Sequence, residues 1–159
     1  MSSVTYFRIA GGIAILAGIL NVLSGLADVF PERTLTLIRR VADISTLIAI
    51  VGIYLYQRDR LGILGQIGFP VVLVGVLMLI FSFRYETALG IYSFGLVVFG
   101  IATLRASALP GWAAWLWIAA PFISIPAFLF EDLAQLFFQL ASIAFALGFI
   151  GTGYYMMAG

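Results

Sequence analysis

The chain has no cysteine and no histidine, and all eight of its basic residues are arginine, so lysine is missing as well. These absences remove disulfides, thiolate nucleophiles, imidazole bases, Schiff-base lysines and the usual ligands of haem and zinc. Charge is scarce too: 9% of residues are charged and 64% are hydrophobic, where a soluble domain has about a quarter charged and about half apolar. So few charges cannot cover a surface that faces water. Eight basic against seven acidic residues leave a net charge of +1, without the basic patch that nucleic acid requires. Nucleic acid is therefore not an expected partner, whereas membrane lipid is.

What fills the chain instead is a series of apolar runs. A membrane-crossing helix takes about 20 mainly apolar residues, so 159 residues allow five or six crossings and leave little for a separate soluble domain. Charged or turn-rich breaks divide the sequence into helices over about 6–27, 35–56, 61–83, 87–104, 112–130 and 133–157. A strand reading fails, because a membrane barrel alternates apolar and polar residues whereas these runs are apolar at both parities. The expected fold is a single all-α domain, an integral membrane bundle of six helices with short loops. The count falls to five if the second segment, which carries Arg39, Arg40 and Asp43 in its first half, lies flat at the interface. The first segment has Arg8, an apolar run and small residues Gly25 and Ala27 in the manner of a signal peptide, but is read as a retained membrane helix. Pro121 and Pro126 predict a kinked or broken fifth helix.

Six crossings place both termini on one side. With that side cytoplasmic, Arg8, Arg58, Arg60 and Arg105 lie inside and Arg33, Arg39, Arg40 and Arg84 outside, an even division. Acidic Asp28, Glu32, Glu86, Glu131 and Asp132 gather in the outer loops, which tilts the reading toward cytoplasmic termini.

Small and polar residues recur at helical spacing. Ala10, Ala14, Gly18, Asn21, Gly25 and Asp28 share one face of the first helix. Thr46, Ala49 and Gly52 continue a face of the second from Arg39, and Gly148 belongs to one of two small-residue faces on the last. Such stripes are the ordinary means by which membrane helices pack. The sharper alternative is that Asn21, Asp43, Gln135 and Gln139 converge on a polar cavity. Asp43 stands well inside its helix, where a carboxylate is a functional-site hypothesis by default. Arg39 and Arg40, four and three residues earlier, offer it a structural ion pair. Arg39, Arg40, Asp43, Asn21, Gln135 and Gln139 thus form the candidate intramembrane polar site.

The remaining features read as structural. Trp112, Trp115 and Trp117, with Tyr154 and Tyr155 near the other end of the chain, are expected as interface anchors. Glu131 and Asp132 are adjacent and suit a solvated helix start. Gly62, Gly65 and Gly68 are not a phosphate loop, because no strand precedes them. No metal site and no cofactor is expected. With no serine beside a base, the chain is read as non-catalytic.

The stretches YLYQRDRLGILGQIG at 54–68 and LPGWAAWLWIAA at 109–120 resemble uncharacterised small multi-pass bacterial membrane proteins. They share a hairpin with an Arg-flanked turn and a Leu-Pro-x-Trp start to a later helix. The resemblance implies a bacterial inner-membrane protein and a helical bundle, and carries no active site with it. The favoured reading is an accessory or scaffold subunit that associates with other membrane subunits or with itself. A small-solute or proton-coupled transporter using Asp43 with Arg39 or Arg40 is the alternative, and a pigment- or quinone-binding subunit of an energy-transducing complex is a third.

Overall fold

The computed structural model describes residues 3–25 and 29–159. Among the described residues there are six α-helices: α1 (Ser3–Gly25), α2 (Glu32–Gln57), α3 (Gly62–Ile80), α4 (Tyr85–Ala106), α5 (Gly111–Ser124) and α6 (Ala134–Ala158). Among the described residues there is no strand. Ala27 and Asp28, expected to close the first helix, lie outside the described residues.

Local chemistry accounts for most of the helix ends. Pro31 precedes α2, its carbonyl accepts the first bond from the Leu35 amide at 3.0 Å, and Glu32 opens the first turn. Proline at a helix start has no amide to leave unpaired, and a carboxylate there meets the positive end of the helix dipole. A 3-10 turn at Arg58–Arg60 joins α2 to α3, helped by Gly62 at φ 59°, a backbone state in which side chains crowd the carbonyl. After α3, Ser82 takes a left-handed conformation. The Phe83 amide then donates to Met78 at 2.9 Å and the Ser82 amide to Leu79 at 3.1 Å, the paired bonds of a Schellman cap. The expected break in the fifth helix falls after Ser124, where a 3-10 turn over Ile125–Phe128 carries Pro126.

Short turns make successive helices antiparallel neighbours, and α6 closes against α1, so the six form a ring. The most extensive packing is α3 on α4 and α1 on α6. Glycine lets these pairs approach. A Cβ added at Gly75 would stand 2.5 Å from the Tyr92 amide nitrogen, one at Gly95 2.5 Å from that of Val72, and one at Gly18 2.6 Å from the Ala146 carbonyl. In a membrane, where burial from lipid gains little, such backbone proximity is what holds helices together.

The centre of the ring is filled rather than open. A run of aromatic rings crosses it: Tyr54 stacks on Phe69 at 4.0 Å, Phe69 meets Phe99 at 6.5 Å, and Phe99 stacks on Trp117 at 6.2 Å. From Trp117 it continues through Phe149, Phe145 and Tyr92, with centroid separations of 5.3, 4.7 and 5.7 Å. Five helices, α2 to α6, each contribute at least one ring. The outer surface is also apolar, with Leu16, Val74, Phe94 and Leu147 exposed near the middle of their helices.

Among the described residues five segments are long and apolar enough to cross a membrane: Val4–Gly25, Gly62–Ile80, Tyr85–Ala106, Gly111–Phe128 and Glu131–Ala158. The chain is therefore a helical membrane bundle. The segment missing from this set is α2, because Arg39, Arg40 and Asp43 interrupt its first half.

Candidate functional site

The polar side chains meet in two places, at opposite ends of the ring. The first is built on Asn21, near the end of α1. Its Nδ2 donates to the Ala17 carbonyl at 2.8 Å and to Thr46 Oγ1 of α2 at 3.1 Å. The Asn21 carbonyl in turn accepts from Ser24 Oγ at 2.8 Å and from Ser142 Oγ of α6 at 3.1 Å. One asparagine thus ties three helices together, as expected where a polar group's alternative is unsatisfied exposure to hydrocarbon. Beside it a crevice of about 60 Å³ is lined by Val22, Gly25, Gln139, Ser142 and Ile143.

Asp43 belongs to the same end. It is half-buried on α2, one turn before Thr46. Arg39 lies within its electrostatic reach. Among the described residues, though, the ion pair that closes to within 4.0 Å is a different one, Arg58 with its neighbour Asp59 at 3.4 Å on an exposed turn. Arg39 and Arg40 are both exposed. On α4, Tyr92 is 9% exposed and its hydroxyl is buried without a hydrogen-bond partner.

The second polar contact joins Gln57, the last residue of α2, to Thr103 of α4. Gln57 Nε2 donates to Thr103 Oγ1 at 2.8 Å, and both residues are 1% exposed. Gln57 Oε1 has no partner. Gln57 adjoins the charged turn Arg58–Arg60, yet it is drawn inside because its face of α2 points at α4.

Asn21 and Gln139 both adjoin Ser142, Asp43 is half-buried on α2, and Gln135 is exposed one turn nearer the start of α6. The packing candidates lie at helix contacts. Ala10 and Ala14 are buried, Gly18 faces Ala146 and Ile150 of α6, Gly25 faces Ser142, and Gly148 makes room for the indole of Trp117.

Among the aromatic anchors, Trp112, Trp115, Tyr154 and Tyr155 are exposed at one end of the bundle. Trp112 lies over Gly151, and with Tyr154 and Tyr155 it borders an apolar groove of about 510 Å³. Trp117 corrects the sequence reading: it is 1% exposed, clasped between Phe99 and Phe149, because its register turns it from the interface into the ring.

Two features escaped the sequence. Gly68, Val72 and Gly75 form a face of α3 against Phe99, Gly95 and Tyr92 of α4, and glycines seven residues apart were its visible signal. Tyr92 looked like one more aromatic in an apolar run, and nothing in the sequence marks its hydroxyl as enclosed.

Among the described residues no group of three or more Asp or Glu gathers into a metal-binding cluster. Compared with protein-family models, with curated proteins and with solved structures, the chain matches none.

Proposed function

We propose that this protein is a non-catalytic subunit of a larger membrane assembly, docking through the outer face of α2. The observation that carries the reading is the composition of that face. Exposed Arg39 and Arg40 stand among exposed Leu37, Val41, Ile44 and Ile48. Hydrocarbon penalises the guanidinium groups and water penalises the aliphatic ones. A neighbouring subunit with an acidic group beside an apolar helix would satisfy both, and a second copy of this chain is the homomeric version of the same arrangement. The filled interior favours this reading over transport, since the aromatic rings occupy the axis a solute path would need. Placement in a bacterial inner membrane rests on the resemblance of 54–68 and 109–120, and cytoplasmic termini rest on the acidic outer loops.

The test is extraction from the native membrane in a mild detergent, followed by identification of what co-migrates. A stoichiometric partner or a defined oligomer is expected, and replacing Arg39 and Arg40 together by Gln should release it. A monodisperse monomer from the native membrane would refute the proposal.

A further inference from the structure

The two ends of the ring differ in charge. Among the described residues, the end where α1, α3 and α5 start carries Arg8, Arg58, Arg60 and Arg105 against one acidic side chain, Asp59, which already pairs with Arg58 at 3.4 Å. Toward the other end lie Arg33, Arg39, Arg40 and Arg84 against Glu32, Asp43, Glu86, Glu131 and Asp132. The first end is therefore the basic one. It is also where Trp112, Tyr154 and Tyr155 are exposed.

The apolar groove of about 510 Å³ opens at this basic end, and its volume is that of a small-molecule site, about 300–1,000 Å³. Leu147, Ile150, Gly151 and Tyr154 recur at spacings of three and four, so one face of α6 lines its length, with Ile15 of α1 and Trp112 of α5 to either side. Glycine keeps it open, since a Cβ at Gly151 would collide with the indole of Trp112. Arg8 stands at its mouth. A Cβ added at Gly11 would lie 2.6 Å from the Gly153 carbonyl and 2.9 Å from Met157 Cγ, which fixes how α1 runs against α6. Arg8, one turn before Gly11, is thus level with the last residues of α6. It precedes Ile15 by seven residues, nearly two turns, so the two share a face about 10 Å apart along the axis. Arg8 is exposed, and among the described residues no carboxylate lies within ion-pair distance of it.

We propose that the groove holds one acyl chain of an anionic phospholipid whose phosphate is bound by Arg8. Descending from Arg8, the surface passes from a guanidinium, through the rings of Tyr154, Tyr155 and Trp112, to the aliphatic Ile15, Ile150 and Leu147. That is the order of groups along a phospholipid: phosphate, ester-linked glycerol, hydrocarbon. Arginine matches phosphate with paired N–H donors, amphipathic rings favour the headgroup level, and basic sites between membrane helices select acidic headgroups. An apolar helix laid in the groove would leave Arg8 without a counter-charge; the phospholipid supplies both the chain and the charge. This inference is independent of the docking face, because the groove is built from α1, α5 and α6.

Tryptophan fluorescence of the full chain in lipid vesicles tests it, on a Trp115→Phe background so that Trp112 reports the groove beside the enclosed Trp117. Phosphatidylglycerol and phosphatidylcholine with brominated acyl chains are each titrated into unbrominated phosphatidylcholine, and the quenching gives their relative affinities. Phosphatidylglycerol is expected to quench with about fivefold higher affinity, the effect of one arginine at a lipid headgroup. Arg8→Gln should bring the two lipids level. Arg60→Gln, at the same end but on the turn between α2 and α3, should leave the preference unchanged. Both arginines are exposed, so neither change disturbs the packed interior. The proposal is overturned if the two lipids quench alike before Arg8 is replaced, or if the preference survives Arg8→Gln. It is equally overturned if neither lipid quenches, as a helix seated in the groove would cause, or if Arg60→Gln abolishes the preference as fully as Arg8→Gln.

Discussion

Trp112, Trp115 and Trp117 lie within six residues of one another, yet they do different jobs. Trp112 and Trp115 are 55% and 62% exposed while Trp117 is 1% exposed, because a step of two residues turns a helix by more than half a revolution. Trp117→Ala should therefore cost about 3–5 kcal/mol, read as a lowered midpoint in denaturant titration of the detergent-solubilised protein. Trp115→Ala should change that midpoint little. Aromatic clustering at the start of a helix was legible in the sequence, but the direction of each ring depends on where α6 lies. Asn21 was legible as a polar member of a small-residue stripe, and its partner Thr46 was on a face expected to pack. That Gln57 reaches Thr103 was not legible, because it follows from the register of two helices separated by a third.

At the scale of the element, glycine has two meanings that the sequence does not distinguish. Gly75 and Gly95 stand where α3 and α4 touch through their backbones. Gly90, on the same helix as Gly95, has open space where a side chain would go. Gly75→Ala and Gly95→Ala should each destabilise by about 1–3 kcal/mol through overpacking. Gly90→Ala should stabilise by about 0.5–1 kcal/mol, since it removes backbone freedom from the unfolded chain and meets no neighbour. Unfolding titrations of the three variants should therefore show opposite signs. Helix positions were readable from the apolar runs, because each run is bounded by charge, proline or a turn. Their ends extend beyond the expectation where a cap is made by backbone alone, as at the start of α4 before Thr87. The fifth helix is shorter than its apolar run, since Pro126 leaves a 3-10 turn where the run continues.

For the whole molecule, composition carried most of what was legible. Apolar content and scarce charge dictate membrane helices, and short connections dictate antiparallel neighbours. The closure of α6 on α1 was not legible, because a small-residue stripe announces an interface without naming its partner. The outward faces make the membrane assignment directly testable, since Leu16, Val74, Phe94 and Leu147 are 45%, 48%, 63% and 47% exposed. In water these surfaces would be open to any reagent; in a bilayer they face hydrocarbon. Because the chain has no cysteine, single cysteines placed at these four positions and at Asp59 and Arg84 can be labelled without background. The decisive measurement is their labelling in native membranes by a membrane-impermeant maleimide, before and after permeabilisation. The account expects Leu16→Cys, Val74→Cys, Phe94→Cys and Leu147→Cys to stay unlabelled, and Asp59→Cys and Arg84→Cys to react from opposite sides. With cytoplasmic termini, Arg84→Cys reacts from outside and Asp59→Cys only after permeabilisation. Labelling of the four mid-helix positions as fast as Asp59→Cys would contradict the membrane bundle itself.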